Sequence, residues 1–308
     1  MKTSVNNIKA LLLLFVFLSF NAYSYENEKV LKKNYKADKN TELVIENSFG
    51  YVDVESTKGT QIEIEVSIWA SGSSQDMVDK FINDINVNFR EDGNEIIART
   101  SNISNNGKVK KFKVNYTVKL PENLPLEVDL SFGELKLKDH KGRVEAEISH
   151  GSINASRLIN PSNEIELKHS KGNIVFLAAS ELELEHSTLN VEELINLNLD
   201  NEFSTLKVKE LKGDVKAEVQ HGKFIADFTD KKFNEILLKV DFSEVKLNLS
   251  KDASYELTYK GAFSKLDAPD NLVKTEQDKG YTDEYYKGTV NGSNSTVKVK
   301  LSHSRAQL

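Results

Sequence analysis

The phrase VDLSFGELKL, residues 128–137, recurs along the chain as AEISHGSINA (146–155), LELEHSTLNV (182–191), AEVQHGKFIA (217–226) and VDFSEVKLNL (240–249). Each copy alternates apolar and polar residues, reaches a Phe or His, passes a small residue and alternates again. Aligned on the ring, the copies fall at Phe132, His150, His169, His186, Phe203, His221, Phe242 and Phe263, in steps of 18, 19, 17, 17, 18, 21 and 21 residues. An early copy centres on Phe49 and a last one on His303. A repeat of this period constrains the fold more than any single residue does. It predicts units that cannot bury an apolar face alone and must stack on their neighbours.

Strict alternation marks strands with one buried face. Val128, Ala146, Ile165, Leu182, Leu199, Ala217, Leu238 and Tyr259 stand four residues before the ring. Leu130, Ile148, Leu167, Leu184, Asn201, Val219, Val240 and Gly261 stand two before it. These positions point inward. Asp129, Glu147, Glu166, Glu183, Asp200, Glu218, Lys239 and Lys260, three before the ring, point outward. Gly133, Gly151 and Gly222, or a serine in other copies, follow the ring and are expected to let the chain turn. After His169 the letters SKGN read as an insertion that shifts the second strand. Hairpin pairs such as Asn-Gly are mostly missing between copies. The expectation is therefore an all-β fold, a parallel β-solenoid with 17–21-residue coils. A β-sandwich, which also spaces strands by roughly 8–12 residues, is the competing architecture.

The ends read differently. Lys2 and Lys9 precede the apolar run Ala10–Phe20, and Ala22 and Ser24 prepare a cut before Tyr25. Residues 1–24 are thus expected to be a secretory signal peptide, too short in its apolar run to span a bilayer. With no cysteine, the chain has no disulfide framework and no site for lipoprotein acylation. Without Lys2 and Lys9 it carries 39 Lys+Arg against 47 Asp+Glu, a balance that argues against nucleic acid as a partner. Residues 25–125 are expected to form an N-terminal cap region, with strands near 43–54, 61–69, 85–90, 95–100 and 110–119. Within it Met77, Val78, Phe81, Ile82 and Ile85 fall at helical spacing, with Ser73 or Ser74 as N-cap. Residues 126–308 form the repeat, broken by an excursion at 268–289 before a last strand near 295–301.

The phrases ENSFGYVDV (46–54) and DLSFGELKL (129–137), with the run of SHG, KHS, EHS, QHG and DFS corners, resemble the adhesin-like, head-GIN-type β-solenoid family of exported bacterial proteins, a family of unknown function. The resemblance covers nearly all of residues 25–308. It departs in placing His where an aromatic ring is usual. It implies a noncatalytic protein of the envelope or cell surface, and it brings no set of functional residues with it.

Five of the six histidines occupy the ring position, where a flat side chain stacked on its copies accounts for both Phe and His; a zinc or copper site is the sharper alternative. The outward acidic row is read as a solvated face that resists edge pairing, with calcium binding as the alternative. Tyr281, Tyr285 and Tyr286 in the excursion form the candidate contact surface. No nucleophile elbow, phosphate loop or HExxH occurs, and no catalytic residue, metal ligand or cofactor is expected. The competing function is a polysaccharide-active β-solenoid enzyme. That function would need converging, irregular acids and exposed aromatics in a groove. The expected location is the periplasm, the outer surface or the medium. The expected partner is an envelope or surface protein or glycan, with no transmembrane span after signal removal.

Overall fold

A computed structural model describes residues 24–105, 107 and 109–308. The signal segment expected at 1–24 lies outside them except for Ser24. The described chain is all-β with one short helix, and its 24 strands hydrogen-bond into one mixed sheet.

Two ladders organise that sheet. The first holds the strands that lead into each ring, such as Leu126–Ser131, Val144–Ser149 and Asn163–Lys168, paired in parallel and in register. The second holds the strands that leave it, such as Glu134–Leu137 and Ser152–Leu158. Strands Lys171–Glu185, Thr188–Glu202 and Thr205–Gln220 run from the second ladder into the first and join the two. The register pairs each residue with its copy in the next repeat: Val128 with Ala146, Ala146 with Ile165, Ile165 with Leu182, Leu182 with Leu199. Inward rows from both ladders are buried and form one hydrophobic cluster. One repeat has too little apolar area to offset its ordering entropy, and stacking supplies the rest.

The segment after His169 holds no insertion. Gly172 lies in register between Ile153 and Leu189. A Cβ there would come within 2.5 Å of Ile153 and 2.7 Å of Leu189, so these two side chains fill its place in the row.

The ends depart from sequence order. The Phe49 repeat, Glu42–Ser48 and Tyr51–Thr57, stacks directly on the Phe132 repeat. The chain between them closes this end. Glu95–Ser101 extends the first ladder in parallel, and Asn86–Asp92 adds to it antiparallel. Lys111–Pro121, Gln61–Gly72 and Tyr25–Lys36 extend the second. The last of these is a 12-residue strand that the sequence reading did not anticipate. Helix α1, Gln75–Asp84, has Ser74 as N-cap and buries Val78, Phe81 and Ile82. Met77, expected on the apolar face, is exposed. At the far end Ser295–Ser302 inserts between Glu235–Asp241 and Tyr255–Ala262, parallel to both. The final repeat in sequence is therefore the penultimate one in space. The excursion folds as a hairpin, Val273–Lys279 and Asp283–Val290, whose second strand pairs antiparallel with Tyr255–Ala262.

Candidate functional site

Ten rings line the corner between the ladders in one file: Phe49, Phe132, His150, His169, His186, Phe203, His221, Phe242, His303 and Phe263. Adjacent centroids are 4.7–5.2 Å apart and planes lie within 12°. Phe112 continues the file from Phe49 at 5.1 Å, and Phe81 of α1 meets Phe112 at 5.0 Å.

Each ring residue is itself the left-handed turn, with φ between 46° and 64°. This corrects the expectation that the following small residue makes the turn. A left-handed non-glycine residue costs roughly 1–2 kcal/mol. Two features offset it. The ring amide donates to the next repeat, as His150 N–H does to Lys168 O at 2.9 Å. Each stacked pair adds about 0.5–1.5 kcal/mol beyond its buried area. The small residue answers to close approach instead: a Cβ on Gly133 would sit 2.0 Å from Gly50 O. Where serine replaces glycine, its hydroxyl accepts from the amide one repeat back, as Ser170 Oγ does from Gly151 at 3.0 Å and Ser187 Oγ from Ser170 at 2.9 Å.

Such a file offers ring edges to a ligand, because neighbours cover the faces. It is also poorly shaped for zinc. A zinc ion needs nitrogens about 2 Å away with converging lone pairs. His150, His169 and His186 are parallel within 3° at 4.8–4.9 Å, so their in-plane lone pairs run side by side. Among the described residues no group of three or more His, Cys, Asp or Glu is placed to hold a metal. His140 stands apart from the file. It is buried at the head of the row Leu158, Leu177, Leu194 and Leu211. Its Nε2–H donates to Leu124 O at 2.8 Å and its Nδ1 accepts from Ser56 Oγ at 2.8 Å. Burial pushes its pKa below the usual histidine value and keeps it neutral.

On the outer face of the first ladder one row runs Arg99, Glu46, Asp129, Glu147, Glu166, Glu183, Asp200, Glu218, Lys239, Lys300, Lys260. Burial, then the charges of Glu147 and Glu46, raises the Asp129 pKa. Burial, then Glu166 and Asp200, raises that of Glu183. Cations tie the row at points. Lys168 bonds Glu166 and Glu147, and its bond to Glu166 pushes it up to about 12. Lys239 meets Glu218 at 2.7 Å. The acids are evenly spaced and do not converge on one point, so they offer no acid–base pair.

A groove of about 880 Å³ lies on the outer face of the second ladder. Its central file is Asp53, Lys136, Asn154, Asn173, Asn190, Lys207 and Ile225, one residue per repeat. Asn190 Nδ2 donates to Asn173 Oδ1 at 3.2 Å, Asn173 Nδ2 to Asn154 Oδ1 at 3.2 Å, and Asn154 Nδ2 to Glu134 Oε1 at 2.8 Å. The sequence reading missed this site. Its only signal was three asparagines four residues after the ring in consecutive copies, visible once the copies are written beneath one another.

The three tyrosines of the excursion do not form one surface. Tyr281 is fully exposed at the hairpin tip. Tyr285 is half-buried, its hydroxyl donating to Glu276 at 3.3 Å. Tyr286 is buried against Tyr259, centroids 4.9 Å apart, and so drops out of the candidate contact surface.

No family model and no curated protein matches the chain. Solved structures similar to it at low identity include the following three. A "putative cell adhesion protein" from Clostridium sporogenes is 12% identical with a TM-score of 0.24, over 91% of this chain and 98% of that one. A "putative adhesin" from Bacteroides fragilis is 12% identical with a TM-score of 0.33, over 91% and 97%. A "putative lipid binding protein" from Parabacteroides distasonis is 8% identical with a TM-score of 0.36, over 91% and 96%. Among the described residues no helix is long and apolar enough to cross a membrane.

Proposed function

We infer that the chain is a noncatalytic, exported protein of the envelope or cell surface, an adhesin-like scaffold whose parallel β-solenoid body presents its outer faces for binding. In this reading residues 1–24 are removed on export, 25–125 cap one end and 126–308 form the repeat body. The observation that carries it is the regularity of the outer faces. Acids recur in seven consecutive repeats, amides in three and rings in ten, each at one position per copy. Catalysis needs unlike groups converging on one reacting atom, whereas a file of like groups suits contact with an extended partner.

Two measurements test the reading. Purified protein incubated with envelope polysaccharides should release no new reducing ends or unsaturated products. The same protein, labelled, should bind isolated envelopes saturably. Product release that scales with protein concentration would replace the scaffold with the polysaccharide-active enzyme.

A further inference from the structure

The groove over the second ladder is rich in hydrogen-bond donors. Four lysines line it, Lys136, Lys138, Lys207 and Lys209, against the carboxylates of Asp53 and Glu192. The excess is positive in a chain whose formal net charge is −6. Lys138 is held by Glu55 at 3.2 Å and Lys136 by Glu134 at 3.3 Å. Lys207 and Lys209 are exposed and make no ion pair among the described residues. Between the two lysine pairs lie Asn154, Asn173 and Asn190, all exposed, with exposed Val175 beside them. Each of these amides spends one N–H on the side chain one repeat back and keeps its second for a ligand. Asn154 and Asn173 each have an Oδ1 already engaged by the next amide. Ammonium and amide donors therefore outnumber free acceptors, and the fitting ligand is rich in acceptors and negative.

The spacing narrows the class. Like donors recur once per repeat, the spacing of neighbouring strands, about 4.8 Å. An extended peptide brings like-facing groups round only every two residues, about 6.8 Å, and falls out of step. A β-1,4-linked pyranose chain also turns over from one sugar to the next, but it advances by about one strand spacing per sugar and carries hydroxyl or ring oxygens on both edges of every unit, so each repeat of the file meets an acceptor. We propose that this groove binds a linear, β-linked acidic polysaccharide laid along the stack, its carboxylates at the lysine pairs and its hydroxyl and ring oxygens on the asparagine file. The proposal rests on the noncatalytic binding reading above and names the ligand class of one face.

Calorimetry with the full chain tests it, using a β-1,4-mannuronate hexamer as probe and cellohexaose and hexaglutamate as comparators. The hexamer should bind, weaken as salt rises, and lose about tenfold or more in affinity in Lys207→Ala/Lys209→Ala, which removes two charge-assisted contacts. Asn173→Ala should weaken it further, while Lys239→Ala on the other ladder should leave it unchanged. These four residues are exposed, so the variants should melt with the wild type. Equal binding of cellohexaose overturns the role of charge, and equal binding of hexaglutamate overturns the sugar in favour of an acidic peptide. Silence from all three overturns the groove as this site. Saturable binding to envelopes, if present alongside that silence, would leave the broader scaffold reading standing.

Discussion

Between Leu126 and Leu249 consecutive copies, 17–21 residues apart, lie against one another, whereas at both ends the neighbour in space is remote in sequence. Ile45 pairs with Val128, and Val299 sits between Leu238 and Tyr259. The middle closes short loops with near-identical units, and any copy can meet any other. The ends close long loops with unique segments: a helix, antiparallel strands and a hairpin. Repetition supplies the core, and only the ends specify how long the stack is.

The largest expected effect comes from deletion. Removing 295–308 takes out buried Val297, Val299, Leu301 and Ala306 and opens an edge on Glu235–Asp241, Glu244–Leu249, Tyr255–Ala262 and Lys265–Asp267. Tm should fall by about 10 °C or more, with aggregation through the open edges. Deleting one middle copy, 182–198, instead sets Leu199 where Leu182 stood, opposite Ile165. This longer deletion should leave a cooperative melt within a few degrees of the wild type. Equal damage from both deletions would erase the distinction between middle and end.

Next in size is a charge in the middle core. Leu167→Asp buries an unpaired carboxylate between Ile148 and Leu184 and should cost about 4 kcal/mol or more by denaturant melts. Glu166→Lys, one residue away and outward, should stay within about 1 kcal/mol, because losing the Lys168 contact is offset by relief of repulsion from Glu147 and Glu183. The parity is wrong if the second change is the damaging one.

At the end, Tyr286→Ala opens a cavity over Tyr259 and should cost about 3 kcal/mol. Tyr281→Ala, on the same hairpin, should cost less than about 0.5 kcal/mol. A hairpin that only hangs from the stack would show neither loss.

The smallest effect is the most diagnostic of the corner. Phe203→Ala keeps the left-handed strain and loses two stacking neighbours. Phe203→Gly loses the same rings but relieves the strain. Glycine should therefore be the milder change by about 1 kcal/mol. Alanine proving milder would show that the corner does not store this strain.

Much of the middle was legible because alternation fixes parity, and parity fixes which side chains are buried. Leu130, Ile148, Leu167 and Leu184 could be assigned inward from spacing alone. Gly172 could not, since a missing side chain looks like a break in pattern when the residues that fill it belong to other copies. Tyr25–Lys36 escaped notice because it is an edge strand whose alternation is mostly between charged and polar residues. Tyr286 was misplaced because in a hairpin on a sheet's end neighbouring residues face opposite sides, and composition does not say which is inner. The groove was hidden because no two of its central residues are near in sequence. The place of the last copy was illegible for a different reason: its strand fits any like strand, and only the hairpin that precedes it decides where it enters.

That entry has a consequence for a chain that emerges from its N-terminus onward. From Leu126 through Leu249 each copy can take its final place as it appears, since it lands on one already formed. Residues 255–267 cannot, because the strand that lies beneath them has yet to be made. If they settle early they settle on the wrong neighbour and must later be lifted. Ser295–Ser302 and Arg305–Gln307 thus complete the stack: until they are made, one end of the molecule stays open, and a chain lacking them reveals itself by exposed edges.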